Sequence, residues 1–128
     1  MGANYISGKA AAALGAKLVV AQATDVTAVD LPGASGSLPL GITTEAIASG
    51  TLGTLTGPGS TSVLYVAAGA FDAGDPLIAV PSGKVVKLPS DASAYWVCGT
   101  AEAAGVAGKT VPGTFVPYFV SGSRGSLA

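Results

Sequence analysis

The chain has 128 residues, enough for one domain with its own core but not for two. Only 10% of the residues are charged, 49% are hydrophobic, and the net charge is −1. No basic cluster could neutralise a nucleic-acid backbone, and no apolar run reaches the ~18 residues of a membrane-spanning helix. The lack of histidine excludes His-based catalytic triads and the usual zinc ligand.

The low charge suggests that other chains cover much of the surface, because a free-standing domain usually carries more charge. Gly and Pro, at 19 and 8 residues, predict many turns rather than long helices. The sequence therefore favours an all-β fold, a small barrel-like or β-tulip-like domain with short helical turns and an extended N-terminal arm.

Residues 1–16 are predicted to form this arm. They are rich in Ala and Gly, with Tyr5 and Ile6 as isolated large side chains, so no packed face is expected. A mobile arm that orders against a partner fits this composition, and a frayed terminus fits it nearly as well. A secretory signal at 10–23 is disfavoured because Lys17 interrupts its apolar run.

The single β domain is predicted at 17–120 and a flexible tail at 121–128. Strands are expected where β-branched, aromatic and aliphatic residues cluster between turn residues. In chain order they are 17–22, 24–31, 38–43, 51–56, 63–66, 77–80, 84–88, 94–100 and 109–120. Helical turns are expected at 10–14 and 44–49.

The clearest local signal is a β-hairpin. Pro76 lacks a backbone donor and suits only the first position of a strand. Pro81-Ser82-Gly83 then supplies a turn with a left-handed glycine, between the apolar run 77–80 and the strand 84–88.

A weak internal repeat relates 41–50 to 99–108, each with one acid near its middle. It indicates either a duplicated strand-turn-strand unit or chance similarity. If the repeat is real, Glu45 and Glu102 could be paired acids across a cleft, although capping a turn or facing water is the simpler interpretation.

Other candidate chemistry is weaker. Gly108-Lys109-Thr110 ends a phosphate-loop pattern, but Ala103 stands where the opening Gly belongs and a β-like run follows instead of a helix. Ser7 and Lys9 could form a serine–lysine pair only if the amine were desolvated, which a mobile arm would not do.

Asp72 and Asp75 could bind a hard cation, but two carboxylates fall short of the usual ~6–8 oxygens, and Asp is common in turns. Cys98 lies in an apolar run and is expected to be a buried hydrophobe. Trp96 and the aromatic residues near the C-terminus could form a platform for a sugar or a base, but most should be core. We therefore expect no enzyme, cofactor, metal or small-molecule substrate.

Three segments form a recognisable order. They read Gly74-Asp-Pro-Leu-Ile-Ala-Val, Ser82-Gly-Lys-Val-Val-Lys-Leu and Trp96-Val-Cys-Gly-Thr-Ala-Glu-Ala-Ala-Gly. With their GDPL strand, GKV strand and GxAxEAAxAG-like segment, they resemble, in the same order, the capsid cement, or decoration, proteins of tailed bacteriophages. The resemblance covers 38–120, including a first-half unit at 39–50. Pro112, Pro117 and Phe119 depart from the family's closing strand.

The resemblance implies a small all-β protein, usually trimeric, on the outside of the phage head. Such a protein is made in the bacterial cytoplasm, binds the expanded shell of major capsid protein and reinforces it. It binds neither nucleic acid nor membrane, and its N-terminal arm reaches neighbouring subunits. The residues expected at a capsid or subunit interface are Asn4, Tyr5, Ile6, Lys9 and Leu14. The alternatives are another virion module, such as a head-fibre base, or an adhesin-like β module.

Overall fold

The computed structural model describes residues 4–24, 27–89 and 94–121. Within these ranges the regular structure is β throughout, which confirms the predicted all-β, barrel-like class. The strands are β1 (Asn4–Lys9), β2 (Val19–Gln22), β3 (Val29–Asp30), β4 (Gly41–Thr43), β5 (Leu52–Gly57), β6 (Ser60–Val66), β7 (Pro76–Ala79), β8 (Val85–Lys87), β9 (Ala94–Val97), β10 (Gly99–Thr100), β11 (Thr110–Phe115) and β12 (Tyr118–Ser121). No helix in the described ranges could cross a membrane.

The strands form four sheets: a five-stranded sheet of order β1-β5-β4-β2-β3, a three-stranded sheet of order β10-β7-β8, and the pairs β11-β6 and β12-β9. An isolated bridge between Ala101 and Gly113 connects the pair β11-β6 to the three-stranded sheet, so these five strands follow the order β6-β11-β10-β7-β8. In the first set of five, Val29 of the last strand forms a parallel bridge with Ala10, just after β1; in the second, Val85 of the last strand forms one with Ala67, just after β6. Each set of five strands is therefore a half-barrel, and the pair of β9 and β12 lies outside both.

The two half-barrels are a structural duplication. Of the two interpretations of the similarity between 41–50 and 99–108, the structure therefore supports a duplicated unit, and the duplication extends over the domain. Lys9 faces Leu52 between β1 and β5, as Val66 faces Thr110 between β6 and β11. The connecting turns also agree: Leu14 and Ile47 exchange backbone hydrogen bonds of 2.9 Å, and Phe71 and Gly105 exchange bonds of 2.9 and 3.1 Å.

Equivalent core positions exchange large and small side chains. Leu14 and Ile47 in the first half correspond to Phe71 and Gly105 in the second, where a β-carbon on Gly105 would lie 2.6 Å from Phe71 Cζ. Similarly, Gly8 and Leu55 correspond to Tyr65 and Gly113. A β-carbon on Gly8 would lie 2.7 Å from Leu55 Cδ1, and one on Gly113 would lie 3.0 Å from Tyr65 Cε2. Because interiors are close-packed, each large residue requires a small partner.

The halves share one core. Val19 and Ile42 of the first half-barrel pack into the cluster formed by the second, which contains Tyr65, Phe71 and Phe115. A second cluster fills the first half-barrel, and a third lies beneath β9 and β12. Burying a large aliphatic side chain contributes ~1.5–3 kcal/mol, so the shared cluster couples the halves into one folding unit.

The predicted hairpin is confirmed. Pro76 is the first residue of β7, and β7 pairs with β8 in the register Ala79–Val85. Gly83, at φ 82°, closes the turn by donating a 2.8 Å backbone hydrogen bond to Val80.

The structure corrects the prediction for the N-terminus. Asn4–Lys9 is not an arm separate from the domain: it is strand β1, paired along its whole length with β5 of the same chain. Ala10 and Leu14 are buried in the first half-barrel. The packed face went unrecognised because Gly8 and Ala10 are small, and they are small because Leu55 and Val29 occupy the space beside them.

The predicted helical turns are also wrong. Residues 10–14 and 44–49 form bends that end in the bridge between Leu14 and Ile47. The predicted extended segment 24–31 contains only β3, and its residues 25–26 lie outside the described ranges. The predicted tail also lies outside them, apart from Ser121.

Candidate interaction surface

Strand β1 forms one border of the first sheet. Its inner edge pairs with β5, and before the bridge at Ala10 no described strand pairs with its outer edge. An unpaired strand edge offers backbone donors and acceptors to another chain. At the start of β1 the Asn4 backbone N–H donates to Ser60 Oγ, and the Asn4 side-chain amide donates to Pro58 O, both at 2.9 Å. These bonds hold β1 against the β5–β6 turn.

Four of the five predicted contact residues lie on this strand. Tyr5 is 66% exposed and Ile6 41% exposed, and Asn4 and Lys9 are exposed as well. The structure therefore brings these four together on one strand at the sheet border. Leu14 is different, because only 4% of its surface is exposed and it packs in the domain's own core. Leu14 is not available to a partner.

Sequence reasoning missed the apolar residue on the neighbouring strand. Leu52 is 74% exposed and lies opposite Lys9 in the pairing of β1 with β5. Side chains two apart on a strand share a face, so Tyr5, Lys9 and Leu52 lie on the same side of the sheet. The signal available in the sequence was the spacing of Leu52 and Leu55: they are three residues apart, so on a strand they face opposite sides of the sheet. Ile6 lies on the opposite side, because neighbouring side chains of a strand alternate between its faces. We call Tyr5 and Leu52, together with the outer edge of β1, the β1 surface.

A second exposed apolar group lies on β9 and β12. Trp96 is half-buried and its ring centroid lies 5.3 Å from that of Phe119, with 55° between the ring planes. Tyr118 and Phe119 are nearly half exposed. The expectation that most C-terminal aromatic residues are core therefore holds for Phe115 but not for these two. The tilt prevents the rings from forming one flat platform.

The acidic candidates sit in turns. Asp75 Oδ2 accepts a 2.8 Å hydrogen bond from the backbone N–H of Asp72 and lies 3.9 Å from Lys87 Nζ. These contacts explain the Asp75 carboxylate as part of a turn. No group of three potential metal ligands occurs within the described ranges. Glu45 and Glu102 are both exposed, in the equivalent turns of the two halves.

The remaining candidates also have structural roles. Gly108, at φ 88°, closes a turn, and Thr110 begins β11, so the phosphate-loop pattern is followed by a strand. Ser7 and Lys9 are exposed on one face of β1, and nothing on that face buries the lysine. Cys98 is fully buried, and this burial raises the pKa of its thiol to about 12. The thiol therefore stays protonated and unreactive at neutral pH.

Comparison with known proteins supplies a structural relative. No family model matches the sequence, and no curated protein matches it. Among solved structures, the chain is similar to the N base of head fibre gp8.5 of bacteriophage phi29. The TM-score is 0.68 at 16% identity, over 88% of this chain and 93% of that one. This similarity establishes the fold: the chain is an all-β domain with the same architecture as that structure.

Proposed function

We propose that this chain is a structural protein of a tailed-bacteriophage virion. It binds the outer surface of the expanded head, contacts the major capsid protein and reinforces the shell as a decoration, or cement, protein. The observation that carries the proposal is the fold similarity to a phage head-fibre base over nearly the whole of both chains. The cement-protein motifs at 74–80, 82–88 and 96–105 support the more specific role.

The β1 surface supplies the contact. A strand or loop of the shell can pair with the outer edge of β1, and Tyr5 and Leu52 can bury apolar area beside it. Many copies on a symmetric lattice turn modest single contacts into firm attachment. The resemblance to cement proteins further implies a trimer, which light scattering of the purified protein and of occupied heads tests.

Deleting the N-terminal residues is unsuitable as a test, because losing β1 would expose the edge of β5 and open the first core. Tyr5→Ser combined with Leu52→Ser is the sharper variant, since both side chains are largely exposed. We expect its unfolding free energy to stay within ~0.5 kcal/mol of that of the parent chain. Its occupancy on purified expanded heads should fall at least tenfold. Val106→Ser, at a residue 59% exposed in the second half, is the control.

Undiminished occupancy of the double variant would refute the β1 surface as the contact. Failure of the parent chain to bind expanded heads would refute the function itself.

The fold similarity specifically favours a second candidate, the base of a head fibre. In that role the domain fixes a projecting fibre to the shell instead of bracing shell subunits. Head stability separates the two functions: a cement protein raises the temperature at which expanded heads break open, and a fibre base leaves it unchanged.

A further inference from the structure

Lys17 has a backbone conformation that a lysine rarely adopts. Its φ is 60°, and among the described residues it is the one non-glycine with positive φ. At the equivalent point of the second half-barrel stands Gly74, with φ 91°. Both backbone N–H groups donate the same 2.8 Å bond, to Thr43 O and to Ala101 O. The fold therefore requires a left-handed residue here, and glycine would meet the requirement without steric cost.

The Lys17 side chain lines a pocket of about 180 Å³. Ile42, Val63 and Leu64 form apolar walls, so the pocket lies where the first half-barrel meets β6 of the second. This volume is below the ~300–1,000 Å³ of pockets for drug-sized ligands, and it suits a single amino-acid side chain.

The polar groups of the pocket favour an acidic occupant. The one ion pair among the described residues joins Lys87 to Asp75, so no described carboxylate neutralises Lys17. Thr56 lines the same pocket. The Thr43 hydroxyl already donates to Gly15 O at 2.6 Å. An ammonium and a threonine side chain between apolar walls match a carboxylate on a short aliphatic stem.

We infer that this pocket receives an aspartate or glutamate side chain from the shell protein on which the domain sits. This inference rests on the proposed function. It explains why a lysine is tolerated at a position suited to glycine: the steric cost is retained at a binding site. The pocket adjoins the β1 surface, because Tyr5 lies opposite Thr56 in the pairing of β1 with β5. The two sites share no residue, so each can be altered by its own substitution.

Lys17→Gly is the discriminating variant, because it reproduces the residue of the second half and removes the ammonium. We expect its melting temperature to rise, since a strained lysine is replaced by glycine. Its affinity for purified expanded heads should nevertheless fall at least tenfold. Lys17→Arg should keep affinity within about threefold, because it retains the charge. Lys109→Ala, at an exposed lysine in the second half, should bind as the parent chain does.

Zero-length cross-linking identifies the partner group directly. A carbodiimide activates a carboxylate, the lysine amine displaces the resulting urea, and an amide forms with net loss of one water. Occupied heads treated in this way should yield a peptide that joins Lys17 to an acidic residue of the shell protein. Full binding by Lys17→Gly, or cross-links that form only at other lysines, would overturn the inference while leaving the proposed function intact. Failure of the parent chain to bind heads overturns both.

Discussion

Equivalent core positions carry a large side chain in one half-barrel and a small one in the other. This arrangement predicts how stability changes when Gly105 is given a side chain. An alanine β-carbon there would lie 2.6 Å from Cζ and 2.8 Å from Cε1 of Phe71, whereas carbon atoms normally stay ~3.5–4.0 Å apart. Phe71 is buried, so its ring can retreat only by displacing other core residues. Overpacking of this kind costs ~1–3 kcal/mol, and we expect Gly105→Ala to lower the free energy of unfolding by about 2 kcal/mol.

Phe71→Leu should reverse that cost, because leucine is the residue at the equivalent position of the first half. Alone, Phe71→Leu leaves a cavity and costs ~1–2 kcal/mol. In its presence the alanine methyl group at 105 enters vacated space. Gly105→Ala should then be neutral or stabilise the protein by ~0.5 kcal/mol, because alanine lowers the conformational entropy of the unfolded chain. Urea unfolding of the four proteins gives the coupling free energy, which we expect to be about 2 kcal/mol.

Gly33→Ala is the matched control, because no atom lies within 4 Å of the β-carbon it would add. It should change stability by less than ~0.5 kcal/mol. A coupling between positions 71 and 105 below ~0.5 kcal/mol would refute compensation between equivalent pairs.

Three further predictions concern buried and half-buried groups. Tyr65→Phe removes the 2.6 Å hydrogen bond from the phenol to Thr114 O and should cost ~1–1.5 kcal/mol in urea unfolding; no loss would contradict the importance of that bond. Burial raises the pKa of the Cys98 thiol from 9.0 to about 12, and burial together with the charge of Cys98 holds the pKa of Tyr65 well above its usual range. Because folding favours the protonated thiol, the stability that the buried thiol contributes is complete below pH 9 and is lost as pH rises towards 12. Cys98→Ala should therefore flatten the alkaline fall in melting temperature. Phe119→Ala exposes Trp96, so we expect a red shift of its fluorescence with ~0.5–1.5 kcal/mol lost from unfolding, and an unchanged spectrum would argue against the ring contact.

Strand positions followed from sequence where local chemistry decides them. Pro76 begins a strand because it cannot donate within one, and Gly83 closes the hairpin because the turn needs a positive φ. Such features depend on a few neighbouring residues, so the sequence alone was enough to predict them.

The duplication was only half visible in the sequence because it is conserved in geometry rather than in side-chain volume. The segments 10–22 and 67–79 have the same bends, bridges and strand, yet Leu14 corresponds to Phe71 and Lys17 to Gly74. The larger Phe71 is balanced by a residue distant in sequence, Gly105, which stands where the first half has Ile47. Sequence similarity falls wherever two positions compensate each other across the fold.

The choice of Tyr5 and Ile6 as candidate contact residues rested on a reason that was wrong. Tyr5 and Ile6 stood out as large side chains in an arm, and they are exposed because β1 borders the sheet. Leu52 and the pocket beside Lys17 were missed, because exposure on a paired strand and a concave junction between half-barrels depend on tertiary structure.

Electron cryo-microscopy of expanded heads incubated with the purified chain tests the central claim most directly. The account predicts added density on the outer surface, into which this domain fits with the β1 surface and the Lys17 pocket facing the shell. Heads that remain bare at saturating protein concentration would contradict it.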